Sequence, residues 1–168
     1  MKSFVANLAS KFEISPGGSR AAVVLYSTRA TTAIRFRDHT NSQSFATAVR
    51  RLRHERGYTR IDLALRRAYF DLFSPRVNTR FIAPKIVFVL TDGEQTKATG
   101  YIPLDRASER LKSAGVRVIA IGIGNSVKTN ELKQIASSDK DVIITKSFDT
   151  LLATVEPLTK SACEGIEG

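Results

Sequence analysis

Two apolar runs constrain this chain more than anything else in it. Residues 85–91 read KIVFVLT and residues 116–124 read VRVIAIGIG, with almost no polar interruption. A strand with one wet face alternates apolar and polar residues, whereas a strand covered on both faces reads as a continuous apolar run. Between the two runs, Pro103 stands where a first helical turn accepts proline, and a helical segment continues to Ala114 and stops at Gly115. Strand, helix and strand in that order make a parallel crossover unit. A short helix over 130–137, with Thr129 as its candidate cap, and the run VIIT at 142–145 continue the alternation. The expected fold is α/β: a doubly wound, mostly parallel sheet with helices on both faces.

The first half of the chain fits around that sheet. Residues 2–12 read as an amphipathic helix, with Phe4, Val5, Leu8 and Phe12 close to one face. The turn SPGGS at 15–19 separates it from two β-rich runs, 21–27 and 31–36, which read as an antiparallel hairpin at the sheet edge. Residues 45–52 fit a helix capped by Ser42 or Ser44, and Thr59 is positioned to cap a longer helix reaching Phe73. A last helix over 149–161 is expected to break or kink at Pro157. No repeat, low-complexity tract or linker divides the 168 residues, so 1–168 is read as one domain.

Charge and composition narrow the function classes. Lysine and arginine number 26 against 16 acids, a net charge of +10 that favours anionic partners. Arg50, Arg51, Arg53, Arg56, Arg60, Arg66 and Arg67 crowd two helices and the loop between them. Such a run is a solvated face or, more sharply, a site for sulfated glycans or an acidic protein, because the guanidinium fork suits sulfate and carboxylate. Nucleic acid is disfavoured, since no aromatic side chains interleave these charges. No apolar run approaches the roughly 20 residues of a membrane span, and the apolar stretch at the start, broken by Asn7 and Ser10, does not read as a signal peptide. The single cysteine, Cys163, excludes an internal disulfide framework.

The stretch IVFVLTDGEQ at 86–95 ends a buried strand on Asp92. Ligands of open α/β sheets bind beyond the carboxyl ends of the strands, so Asp92 is a candidate catalytic aspartate, metal ligand or helix cap. Enzyme motifs are missing: there is no phosphate loop, no complete dinucleotide fingerprint at 122–127 and no nucleophile elbow. His39 and His54 lie in polar or basic surroundings and read as surface residues. Thr59, in a loop before a helix, adds a hydroxyl that would suit Mg²⁺ or Ca²⁺ beside a carboxylate.

Taken in order, MKSFVANLASKFEIS, PGGSRAAVVLYST, RRLRHERGYTRIDLALRRAYFDLF, APKIVFVLTDGEQ, LKSAGVRVIAIGIGNS with ELKQIAS, and SFDTL resemble the von Willebrand factor type A domain, in the style of matrix proteins such as collagen VI, matrilins and cochlin. The resemblance implies a non-enzymatic adhesion module carrying a metal-ion-dependent adhesion site for Mg²⁺ or Ca²⁺. Asp92 matches the aspartate of its TDG loop and Thr59 the threonine of its second loop. The D-x-S-x-S motif that ends the family's first, central strand is not in this sequence. The resemblance therefore implies an incomplete site with weak or no cation binding, and an N-terminally truncated piece of a larger secreted, extracellular protein. It also implies a disulfide from Cys163 to a cysteine outside this sequence. Matrix or cell-surface proteins are the implied partners, with strand sharing between chains as one way to complete the sheet. Two alternatives stay open: an Asp92-dependent phosphotransfer or hydrolase enzyme, and an intracellular scaffold of the same fold.

Overall fold

Strands β3 (Lys85–Thr91), β4 (Val116–Ile123) and β5 (Val142–Thr145) pair in parallel in the order β3-β4-β5, as their continuous apolar sequences require. These elements belong to a computed structural model that describes residues 1–164, with side chains described to residue 160. Lys85 lies opposite Val116, and the register runs unbroken to Thr91 opposite Gly122. β4 is the central strand of the three, and Val118 to Ile121 along it are fully buried. Alternation along β4 feeds two cores. Val118 and Ala120 pack with Leu65, Leu111, Leu132 and Ile135 of α3 (Ile61–Ala68), α4 (Leu104–Ser113) and α5 (Thr129–Ile135). Ile119 and Ile121 pack on the opposite face with Phe4 and Leu8 of α1 (Lys2–Ala9) and with Leu151 and Val155 of α6 (Leu151–Glu164).

The hairpin is also present. β1 (Val23–Tyr26) and β2 (Ala30–Ile34) pair antiparallel, with Tyr26 opposite Ala30 and a register shift between Val23 and Val24. They form a second sheet, separate from the first. Among the described residues no backbone hydrogen bond joins β1 to β3. Side chains bridge the two instead. At one end the Tyr26 hydroxyl donates to the Leu90 carbonyl at 2.8 Å. At the other, the Arg80 guanidinium donates to the Gly18 and Pro16 carbonyls, each at 2.5 Å. β1 and β3 thus lie side by side and run the same way, with a cavity of about 1410 Å³ between them. Val24, Leu25, Ile86, Val87, Phe88 and Leu90 border it and are only half-buried.

Several helix ends differ from expectation. The cap of α2 (Ser42–Arg51) is Asn41, whose side-chain oxygen accepts from the Ser44 N–H at 2.8 Å. Ser42 lies inside the helix and donates its hydroxyl to the Phe12 carbonyl instead. α3 begins at Ile61 without a side-chain cap, and a π-helical turn, Tyr69–Phe73, follows it. α6 runs as one helix through Pro157. Leu151, Val155 and Leu158 keep one face of it against the core on both sides of the proline, which offsets the single backbone bond that proline removes.

Burial pushes the Tyr26 phenol up to about 12, with a Thr91 hydrogen bond opposing and the nearby Asp92 charge reinforcing. The folded value lies above the ordinary one near 10, so the associated stability is complete below pH 10 and is lost as pH rises towards 12. The stability advantage of the wild type over Tyr26→Phe, measured by urea unfolding, is expected to stay constant to about pH 9.5. It should then fall by about 1 kcal/mol by about pH 11. A gap that does not change with pH would show a hydrated phenol.

Candidate functional site

The carboxyl end of β3 turns tightly. The Thr91 hydroxyl donates to the Gly93 carbonyl at 2.9 Å and accepts from the Gly93 N–H at 3.3 Å. This turn leaves Asp92 exposed at the mouth of the cavity. No helix follows closely, since α4 starts only at Leu104, so Asp92 caps nothing. Thr59 reaches the same mouth from the other side. The Thr59 N–H donates to the Thr96 hydroxyl at 3.0 Å, and the Thr96 N–H donates back to the Thr59 carbonyl at 2.9 Å. Position 60, not 59, precedes α3, so Thr59 is no cap either and its hydroxyl is not committed to the helix. The two loops touch: a methyl added to Gly93 would lie 3.6 Å from the Thr59 hydroxyl oxygen. The structure therefore places Thr59 against the loop that carries Asp92 and removes the capping role from both.

Behind the mouth lies a charge network with no counterpart in the sequence reading. Asp62 is fully buried. Its carboxylate accepts two hydrogen bonds from Arg60, each 2.9 Å, one from the Gln95 amide at 2.7 Å and one from the Ile102 N–H at 3.0 Å. The Gln95 side-chain oxygen accepts the Asp62 N–H in return, at 3.2 Å. Burial alone would push the Asp62 carboxyl up; the bonds from Arg60, Ile102 and Gln95 outweigh it and hold it below its ordinary value. The network ties the start of α3 to residues 95 and 102, and so fixes the loops that carry Thr59 and Asp92. The one sequence signal for it was a lone acid, Asp62, placed among arginines in a first helical turn.

Arg60 is consequently not part of the basic face. Only 7% of it is exposed, because its guanidinium turns inward to Asp62. Arg50, Arg51, Arg53 and Arg56 are exposed and form no ion pair among the described residues. Arg67 pairs with Asp71 at 3.5 Å, and Arg66 lies over the Phe70 ring. His54 is exposed, whereas His39 is half-buried with a ring nitrogen 3.1 Å from the Ser44 hydroxyl. Near Asp92, Glu94 is paired with Lys128. Among the described residues no three histidine, cysteine or acidic side chains converge as a metal cluster. The Cys163 side chain lies outside the described residues.

Residues 1–157 match the family described as the von Willebrand factor type A domain. The chain belongs to that family. The human collagen alpha-1(XX) chain is 29% identical to it over 170 residues, covering 100% of this chain and 13% of that protein. Matrilin-2 of Mus musculus is 24% identical, covering 99% of this chain and 17% of the relative. Proximal thread matrix protein 1 from the mussel byssus superposes with a TM-score of 0.84 at 31% identity, over 97% of this chain and 40% of that one. A second structure of the mussel protein has a zinc-occupied adhesion-site motif. The chain spans only 13% to 20% of the length of the first curated relatives it matches.

Removing Asp62 would strand the buried Arg60 charge. Asp62→Ala is expected to cost about 3–5 kcal/mol in urea unfolding, while the double replacement Arg60→Met with Asp62→Leu recovers most of it. Because the folded carboxyl titrates below its ordinary value, the wild-type advantage should be full above about pH 4 and decline as pH falls below that. Additive losses in the two single variants and their combination would show that the pair is not coupled.

Proposed function

We propose that this chain is a non-enzymatic binding module of an extracellular matrix protein, acting through the mouth formed by Thr59, Asp92 and the loops beside them. The observation that carries this reading is that Thr59 and the exposed Asp92 border the same cavity, with the Thr59 hydroxyl against the Gly93 turn, in a chain of this family. The collagen and matrilin relatives support the matrix setting. A helix long and apolar enough to cross a membrane is absent among the described residues.

The metal site of such a module is, in this proposal, incomplete. Thr59 and Asp92 supply two side-chain oxygens of the hard type that Mg²⁺ and Ca²⁺ prefer, against the six or more that these cations take. Those two donors alone do not fit a tightly held cation, and no step of the proposed binding is routed through one. Recognition then rests on the Asp92 carboxylate, the Thr59 hydroxyl and Arg53 and Arg56, which border the same cavity, with the exposed Arg50 and Arg51 of α2 extending the basic face. The arginine fork suits sulfated glycans and acidic protein segments.

Two measurements test this. Calorimetric titration with Mg²⁺ to about 10 mM is expected to show no saturable heat, since two oxygens fall short of a cation's shell. Clear binding lost in Asp92→Ala would overturn the incomplete-site reading. On a heparin column the protein should elute at a lower salt concentration once Arg50, Arg51 and Arg53 are changed to Ala, because each lost cation weakens a salt-sensitive contact. Unchanged elution would remove the arginine face from the account. Magnesium-dependent hydrolysis of p-nitrophenyl phosphate that disappears in Asp92→Asn would replace the binding reading with an enzymatic one.

A further inference from the structure

The outer surface where α3 and α4 end carries a side-chain cluster that the mouth does not use. At Tyr69 the chain widens into the π-helical turn, closed by the Ser74 N–H donating to the Tyr69 carbonyl at 2.7 Å. Such turns recur at functional positions. This one presents two rings side by side: Tyr69 and Phe70 meet edge to face, with centroids 5.1 Å apart and planes at 77°. Tyr69 is half-buried, and Phe70 is left 43% exposed. Guanidinium groups from two helices share the Phe70 ring. Arg66 of α3 lies 5.7 Å from its centroid, and Arg110 of α4 lies 5.2 Å from it and 5.7 Å from the Tyr69 centroid.

These two arginines are held in place and yet unpaired. Arg67 and Arg35, on the neighbouring flank of α3, both reach Asp71, at 3.5 and 3.6 Å. Arg66 and Arg110 form no ion pair among the described residues, and rings are their side-chain partners. A guanidinium stacked on a ring spends its flat face and keeps its N–H donors at the rim. Stacking also orders the side chain beforehand, so less rotamer freedom is lost on binding. Arg106, one turn before Arg110 on α4, is exposed and adds a third unpaired charge. The acids of α4 do not neutralise them. Asp105 acts on Lys112, whose ammonium donates to the Gln134 carbonyl, and the exposed Glu109 pairs with neither arginine. Basic residues in a last helical turn complement the helix dipole, but the dipole needs no exposed ring beside them.

We propose that this platform docks an acidic segment of a partner protein. An aromatic side chain of the partner packs on Phe70 and Tyr69, and carboxylates on either side of it take the Arg66 and Arg110 forks. Arginine and aromatic side chains are the types that anchor protein interfaces, and here they come together without an acid to balance them. A compact patch with an apolar centre suits such a segment better than a sulfated glycan, which offers repeated anions and no apolar anchor. The platform is separate from the mouth. Asp92 follows the carboxyl end of β3, whereas α4 ends beside the start of β4, which lies next to the start of β3. Arg66, Tyr69, Phe70 and Arg110 do not border the cavity. The proposal therefore stands whatever binds at Asp92 and Thr59.

The chain contains no tryptophan, so the emission of a tryptophan peptide reports on the peptide alone. The probe is Glu-Asp-Trp-Glu-Asp with blocked ends, titrated with the full chain at low salt, where charge pairing is least screened. A saturable blue shift is expected. Binding should weaken at least about tenfold in Arg66→Ala with Arg110→Ala, and as much in Phe70→Ala, with Tm confirming that each variant is folded. Arg66→Lys with Arg110→Lys keeps the charge and loses the fork, and should weaken binding about threefold or more. A competitor with alanine for tryptophan should displace the probe at least about tenfold less well. Amide resonances of residues 66–70 and 106–113 should move on titration. No saturable shift, equal binding of a lysine-flanked peptide, or binding that depends on Arg50, Arg51 and Arg53 and not on Arg66 and Arg110 would overturn the proposal. A heparin-derived oligosaccharide that binds through Arg66 and Arg110 where the peptide does not would overturn it in favour of a glycan.

Discussion

The parallel pairing of β3 on β4 is the interaction on which the rest of the molecule depends. Its register places Thr91 opposite Gly122, so the end of β3 is set by the strand beside it and not by its own loop. Gly122 has a packing reason to be there: a methyl at that position would lie 2.8 Å from Leu132 and 2.9 Å from Val127. α5 therefore sits close on the end of β4, and β4 in turn holds β3. Asp92 inherits its position from this chain of contacts. A slip of one residue in the register would reverse which face each side chain meets and pull Asp92 away from Thr59.

Buried charge does the remaining work at the mouth. Arg60 and Asp62 cost solvation on entering the interior, and a pair of this kind is weak evidence of net stabilisation. What it does supply is position. A carboxylate that accepts four hydrogen bonds from three different segments holds those segments in one geometry, and relaxing any one of them leaves a buried charge short of partners. Thr59 and Thr96 hold each other by a reciprocal pair of bonds on the same loops. The mouth is therefore held from behind, with Asp92 exposed and the Thr59 hydroxyl not committed to a helix end.

How much of this was legible in the sequence depended on what kind of force set each feature. The bounds of β3 and β5 were read to the residue, because each shows itself as a short apolar run with no polar interruption, although β3 is half-buried and Ile144 of β5 is exposed. Asp92 and Thr59 were picked out as one site because a carboxylate and a hydroxyl stood at the ends of such elements. Features set by long-range partners were not legible. Arg60 looked like one more member of a basic run, and only the fold brings Asp62, Gln95 and Ile102 around it. Ser42 and Ser44 were read as the candidate caps and Asn41 was missed, since all three are good capping types and only the geometry separates them. The break expected at Pro157 failed because tertiary packing of α6 outweighed one missing backbone bond.

The split of the sheet links these observations. β4, paired on both sides, is buried, whereas β1 and β3 border the cavity and leave apolar side chains half-exposed to it. Apolar surface left in contact with solvent forfeits about 25 cal/mol for each Å², and the facing backbone edges forfeit hydrogen bonds as well. Leu90, Thr59 and Asp92 border this same cavity, so the candidate site sits on the side of β3 away from β4, where the Tyr26–Leu90 hydrogen bond and the Arg60–Asp62 network, and not strand pairing, hold it in place.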